Sequence, residues 1–315
     1  MLPLKYLFEN YALARLALEN WPHDDDLDET LQWFRISSNA VYPYRCKGEM
    51  NFLHLAPVCE KCEKDLHGEI AHILHLRAKG YNAMRPIPAR NGEYLLTLHT
   101  PWGDWFAAAF AGVPGEQIED IEHTPGALHA YGAALGKLHA LSRGQNFGKQ
   151  TYEDKLQWIY AQFVRYNAPQ PAFDALADIQ TALAALPKAA DTFGPVHYDF
   201  EPDNVFYDAV TDTCHAIDFE DGMMHFFALD IEQALAELPD DEHAAFLEGY
   251  KTCFPYTAET AALRPLMRRF CDMYAYARLL HALHDAPQEQ PDWMQKLIPF
   301  LTSRREQLLC AFTSK

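Results

Sequence analysis

The hydrophobic period of this chain changes once, near residue 110, and that change restricts the fold more than any other feature. Before it, apolar residues alternate with polar ones in short runs: Val41 to Cys46, a turn at Lys47-Gly48-Glu49, then Met50 to Leu55. Alternation with period two around a glycine-containing turn predicts an antiparallel hairpin. Tyr94 to His99 and Trp105 to Phe110 repeat the pattern around Pro101, Gly103 and Asp104. Between the two pairs, residues 63–79 place Leu66, Ile70, Ile73 and Leu74 at helical spacing and stop at Gly80, a good left-handed C-cap. The expected order is β-β-α-β-β. Beyond Ala111-Gly112-Val113-Pro114-Gly115 the period becomes 3.6: Leu128, Tyr131, Leu135 and Leu138 line one helix, and Leu156, Ile159 and Phe163 another. A third helical pattern through Phe173, Leu176, Ile179 and Leu183 ends at Pro187. Val205 to Tyr207 and Ala216 to Phe219 read as a small hairpin, and helices resume from Ala228. The fold expected is α+β, with residues 1–110 a small antiparallel-sheet lobe and 111–315 a larger, mainly helical lobe.

Length and charge agree with two units. At roughly 150 residues per domain, 315 residues make about two. No stretch approaches the ~18 consecutive apolar residues of a membrane span, and Lys5, Glu9, Arg15 and Glu19 interrupt the start, so neither a membrane nor a secretory signal is expected. Seven irregularly spaced cysteines point to reduced thiols and a cytoplasmic location. Cys59 and Cys62 form a lone C-x-x-C that lacks the second ligand pair of a zinc site. The net charge of −18 argues against a nucleic-acid partner. Residues 1–110 carry 11 basic and 14 acidic side chains (net −3) and the rest 15 and 30 (net −15), so the acidity belongs to the helical half.

The chemistry concentrates in VHYDFEPDNVFYDAVTDTCHAIDFED, residues 196–221. It holds His197-x-Asp199, then Asn204 five residues after Asp199, then Asp218 fourteen after Asn204. A chance H-x-D-x-x-x-x-N in a chain this long has a probability of roughly 0.04. The spacing suits phosphoryl transfer: Asp199 accepts the proton of an attacking hydroxyl, and Asn204 and Asp218 hold Mg²⁺ on nucleotide phosphates. Fifteen histidines invite a zinc reading, but the spacings put no H-E-x-x-H pair on one helix face.

This stretch resembles the catalytic and metal-binding loops of the aminoglycoside phosphotransferase and choline kinase family, small-molecule kinases with a protein-kinase-like fold. GAALGKLHAL (132–141) and FLEGYKTCF (246–254) are similar to helices of that family's larger lobe. The resemblance implies ATP and Mg²⁺ as cofactors, His197 and Asp199 as catalytic residues, and a small-molecule hydroxyl acceptor for a chain that acts as monomer or homodimer. It places Glu69 as the helix acid that pairs with a basic residue on the hairpin, and the matching hairpin position is His54, where the family usually has Lys or Arg. Three readings of His54 stay open: an imidazolium charged by Glu69 and the phosphates, replacement by Arg45 or Lys47, or nucleotide binding with little catalysis. Ser37, Ser38 and Asn39 occupy the nucleotide loop without a glycine, and Phe110, Ala111 and Val113 occupy the family's adenine-binding connection.

The acceptor side is the acidic half. Asp221 and Glu232 can steer a cation, and Trp158, Tyr160, Tyr166, Tyr274 and Tyr276 can add aromatic walls. Aminoglycosides, choline-like amines, homoserine-like amino alcohols and sugars all remain compatible. The alternative is a nucleotide-binding pseudokinase that acts as a regulatory or scaffold module.

Overall fold

The computed structural model describes residues 2–37, 39–284 and 292–313. Its six-stranded antiparallel sheet is built from β1 (Arg35–Ile36), β2 (Ala40–Cys46), β3 (Glu49–Pro57), β4 (Arg85–Ile87), β5 (Leu95–Thr100) and β6 (Gly103–Ala111), in the order β1-β2-β3-β6-β4 with β5 also on β6. The β2–β3 hairpin turns at Lys47 and Gly48, whose φ angles of 55° and 80° meet the requirement of a two-residue turn for two left-handed residues. Two short helices, α1 (Tyr11–Leu18) and α2 (Leu27–Thr30), precede the sheet, and α3 (Glu63–Ala78) crosses between β3 and β4. The helix stops at Gly80, φ 77°, as the sequence requires. β4 is an addition to the expected order: three residues containing Pro86 show no alternation to read.

The larger lobe contains α4 (Pro125–Ser142), α5 (Tyr152–Arg165), α6 (Gln170–Ala184), α7 (Ala228–Ala236), α8 (His243–Lys251), α9 (Ala258–His284) and α10 (Asp292–Thr313). Short strands β7 (Glu116–Gln117), β8 (Phe193–Pro195), β9 (Val205–Asp208), β10 (Thr213–Ala216) and β11 (Met224–Phe226) frame its loops, and every ladder is antiparallel. The expected strand Ala216 to Phe219 is corrected. The β10 strand ends at Ala216, because Ile217 bonds back to Asn204 and Asp218 turns left-handed at φ 58°. Among the described residues no helix is long and apolar enough to cross a membrane.

The period-two strand β6 separates two cores. Ala107 and Ala109 face one that joins Tyr42, Tyr44, Leu53 and Leu55 to Leu13, Leu18 and Trp21 at the α1 end. Ala108 and Phe110 face the other, which takes in Ile73 and Leu76 of α3 together with Leu135, Leu138, Val196 and Phe219. Each such side chain contributes about 1.5–3 kcal/mol on full burial. The helix that carries Glu69 is therefore cemented to the helical lobe, beneath the sheet.

Candidate active site

The segment 196–204 connects β8 to β9 and is held in a shape the backbone alone would not choose. Tyr198 lies at φ 73°, a region costly for a residue with a bulky side chain. Asp230, in the first turn of α7, stabilises it: its carboxylate accepts the His197 N–H at 2.8 Å and the Tyr198 N–H at 2.7 Å, and it meets the His139 ring at 3.0 Å. Gln233 donates to the Tyr198 carbonyl at 3.1 Å. Asp230, at the start of a helix, thereby shapes the loop that carries Asp199. That loop turns Asp199 toward Asn204, whose amide donates to the Asp199 carboxylate and carbonyl, both at 3.0 Å.

Asp199, Asn204 and Asp218 meet in a cleft of about 400 Å³ between the sheet and the helical lobe. His54, Phe110, Ala111, Gly112, Val113 and Ser37 share its wall. Phe52, Met84, Phe206 and Ile217 give it an apolar end of the kind that accepts a planar base. Burial, then the charges of Glu201, Asp221 and Asp218, raise the Asp199 carboxyl well above its ordinary range, which makes it a stronger base. Asp218 is pushed up to about 6 by burial and then Asp221. Asn39 is buried and donates to the Glu220 carboxylate, which ties the loop expected to bind nucleotide to the loop expected to bind metal. Ser38 lies outside the described residues.

His197 and His54 lie in different surroundings. The His197 ring packs on Phe200 and Phe219 and bonds the Ile217 carbonyl at 2.9 Å, within the core and off the cleft wall, a place suited to ordering the loop. Burial, opposed by Asp230, brings its pKa down to about 4. His54 does reach the cleft, but burial and the nearby Lys61 charge lower it to about 4, and its ring lies tilted on Phe110 at 4.8 Å. Burial thus disfavours the charged ring at His54. Among the described residues His54 and Glu69 share no hydrogen bond or ion pair, and one buried Glu69 carboxylate oxygen has no partner. Arg45 is no substitute, since it pairs with Asp26 at 2.6 Å on the sheet's outer side, and Lys47 is exposed at the hairpin turn.

Two buried cations stand near these acids at positions without a sequence signal, behind the cleft wall, Lys61 also lining a neighbouring cavity. Lys61, between β3 and α3, pairs with Glu220. Burial lowers it to about 8, with Asp221 and Asp218 acting to keep it charged. Lys149, 3% exposed, donates to the Phe219 carbonyl at 2.9 Å and is the strongest charge acting on Glu69 after burial, which raises that acid. Lysines 80 or more residues from the acid they serve carry no local spacing to recognise. The two acids expected to steer a cation are already neutralised: Asp221 by Arg278 and Glu232 by Arg264, each at 2.8 Å. Asp221, Arg278, Trp158 and Tyr274 line a second cavity of about 350 Å³ on the far side of the metal loop. Tyr276 is buried in the core and Tyr160 is exposed.

A divalent cation fits the donor set in the cleft. The Asn204 amide nitrogen is spent on Asp199, which leaves its oxygen free of protein donors among the described residues. Burial, and after it the Asp221 charge, raise the Asp218 carboxyl to about 6, and a bound cation would favour its ionised form. Among the described residues no three His, Cys, Asp or Glu side chains are grouped to hold a metal by themselves. An amide oxygen and one carboxylate need phosphate oxygens to complete a hard-cation shell.

A family model for the phosphotransferase enzyme family matches residues 60–266. Amicoumacin kinase of Bacillus subtilis (strain 168) is 23% identical over 230 residues, 69% of this chain and 68% of that one. Homoserine kinase of Caulobacter vibrioides is 27% identical over 285 residues, 79% and 87%. Among solved structures, an amicoumacin kinase in complex with AMP-PNP, Ca²⁺ and Ami superposes with a TM-score of 0.78 at 18% identity, covering 98% of this chain and 95% of that one. A microcompartment-associated aminopropanol kinase gives 0.67 at 18%, covering 97% and 99%.

Proposed function

Because this chain belongs to the phosphotransferase enzyme family, we propose that the cleft joining Asp199, Asn204 and Asp218 is where it carries out its reaction. The protein is a small-molecule kinase that moves the γ-phosphate of ATP to a hydroxyl group. The observation that carries the residue roles is the meeting of those three side chains with the Phe110–Val113 strand end in one cleft. Asp199 takes the acceptor's hydroxyl proton as the new oxygen–phosphorus bond forms and the bond to the β-phosphate breaks, ADP leaving with that electron pair. Asn204 and Asp218 would hold Mg²⁺, which neutralises the phosphates when bound. Phe110, Ala111 and Val113 seat the base, and Ser37 and Asn39 close over the phosphates. Lys61 supplies the positive charge that neutral His54 cannot.

The full Asp199, Asn204 and Asp218 set favours an enzyme over a pseudokinase, since a scaffold needs no base. The test is Asp199→Asn, followed by ³¹P NMR of phosphate transfer across a panel of hydroxyl acceptors and by calorimetry of MgADP binding. Turnover is expected to fall about 10²- to 10⁴-fold with MgADP affinity kept. Wild-type turnover in the variant removes Asp199 from the role, and a wild-type protein that binds MgADP and phosphorylates nothing returns the pseudokinase.

A further inference from the structure

The second cavity is lined by four acids and four Lys or Arg side chains that are unequally paired. Its acids are committed: Glu60 to His281 at 2.8 Å, Asp221 to Arg278 at 2.8 Å, Glu220 to Lys61 and Asn39, and one Asp65 oxygen to the Gln150 N–H at 2.8 Å. Helix α5 turns Lys155, Trp158, Gln162 and Arg165 toward it at spacings of three, four and three, one face of a helix. Lys155 is only 4.0 Å from the other Asp65 oxygen, too long for a hydrogen bond, and Arg165 has no ion pair among the described residues. Burial works against the Lys155 charge, but Tyr274, Asp65 and Asp221 outweigh it and hold the ammonium protonated. Gln162 is 7% exposed, and its amide oxygen has no partner. A buried amide oxygen left unpaired on a cavity wall, beside an indole and two cations, Lys155 and the exposed Arg165, that make no hydrogen bond to a carboxylate among the described residues, describes a site built for something else to complete.

The cavity also adjoins the loops that carry Asp199 and Asp218. Asp221 is three residues beyond Asp218, and the Tyr274 ring meets the edge of Tyr198, the neighbour of Asp199, at 5.3 Å. The nucleotide cleft and this cavity thus flank the same two loops.

Resting on the phosphotransfer reading, we propose that this cavity binds the acceptor and that Lys155 and Arg165 read a carboxylate on it, with Gln162 accepting a hydrogen bond from an N–H or O–H of the same molecule. The acceptor is then a hydroxy acid, in place of the cation that the acidity of the lobe suggests. Lobe-wide charge is screened beyond about 8–10 Å, whereas these groups line the cavity itself.

The experiment compares 4-hydroxybutanoate and L-homoserine with their primary amides and with 3-amino-1-propanol, both as phosphate acceptors and as ligands titrated into the MgADP complex. The carboxylates are expected to be favoured at least about ten-fold in kcat/KM and in affinity. Lys155→Met and Arg165→Met should each raise KM more than they lower kcat and bring the carboxylate-to-amide ratio toward one, and Lys155→Arg should keep it. MgADP titrations on the same samples verify that the variants are folded. Amides or the amino alcohol bound as well as the acids, no carboxylate bound, or a ratio unchanged in both Met variants overturns the subsite. A wild-type protein that does not bind MgADP instead overturns the phosphotransfer reading on which it rests.

Discussion

At the scale of single residues, the site turns on where positive charge stands. His54 occupies the hairpin position that would normally carry it, yet burial and Lys61 keep its ring neutral. Lys61 is close enough to influence His54 and is influenced by Asp218 and Glu69, so it stands at the junction of hairpin, helix and metal loop. A charged hydrogen bond to a phosphate contributes about 1.5–3 kcal/mol, so Lys61→Met should weaken MgADP binding roughly 10- to 100-fold. Adding His54→Lys to that variant should restore most of the loss, because the charge returns at a residue on the cleft wall. Calorimetry decides it: unchanged affinity in Lys61→Met, or no recovery in a double variant with an unaltered melting temperature, places the phosphate-binding charge elsewhere. Asp218 yields a second prediction with a definite sign. Its carboxyl, at about 6, stays protonated well above its ordinary 3.8, and a divalent ion must displace that proton. The enhancement of ADP affinity by Mg²⁺ should therefore fall as pH drops through about 6, by up to about ten-fold per unit, and level off above it. In Asp218→Asn both the enhancement and its pH dependence should vanish. A wild-type enhancement that is flat from pH 5 to 8 would exclude Asp218 as the ligand. The trio itself was legible because its members lie within 20 residues on one strand-loop-strand unit, where spacing is geometry. Lys61, Lys149 and Arg278 were not, since each finds its acid through tertiary packing.

At the scale of elements, the position of α4 depends on closeness that only glycine permits. A Cβ at Gly132 would collide with the Phe246 carbonyl of α8, and one at Gly249 with the His129 carbonyl of α4. Both obstacles are backbone, which cannot rotate away as a side chain can. Gly126, on the same helix, would place its Cβ no nearer than 3.9 Å to the Thr124 hydroxyl. Gly132→Ala should cost about 1–3 kcal/mol of overpacking and lower the melting temperature by roughly 2–10 °C. Gly126→Ala should leave it unchanged or raise it slightly, because alanine is the better helix former by about 1 kcal/mol. Equal melting temperatures for the two variants would mean that the α4–α8 contact is looser than its geometry. The periodicity of α4, α5 and α6 and the alternation of the β2–β3 hairpin were readable because each element buries one continuous face. Strands of two or three residues such as β4, β7 and β8 were not, since their pairing depends on partners far along the chain and they are too short for a period. The end of β10 was misplaced for a related reason: Ile217 and Phe219 are apolar because they line the cleft and the core, and that burial imitates a strand.

At the scale of the whole molecule, the partition of the two cores predicts which parts move together. The α3 helix lies in sequence between strands of the small lobe, yet Ile73 and Leu76 belong to the core of the helical lobe, and no α3 side chain is among the buried residues of the sheet's outer core. Those two side chains contribute about 3–6 kcal/mol of burial that is lost if α3 follows the sheet away from the helices. His72 adds a 2.7 Å bond to Ser142 at the end of α4, and His75 one of 3.0 Å to the Leu141 carbonyl. By contrast the β2–β3 hairpin is joined to Glu220 beyond Asp218 by contacts at its two ends, from Asn39 and from Lys61. Local opening should follow this division. In hydrogen–deuterium exchange, peptides covering residues 66–76 should exchange with those of α4 and more slowly than those covering residues 40–46. Saturating MgADP should then add protection at residues 37–46 and around 199–218 and little at α3, which is already at its limit. Functionally, Glu69 and Lys149 would keep the metal loop in place while the sheet opens to admit nucleotide, so that only the base-binding wall has to travel. Exchange of 66–76 in step with 40–46, or protection by MgADP that is strongest at α3, would show that α3 moves with the sheet and that the phosphate-facing groups are assembled only on closure.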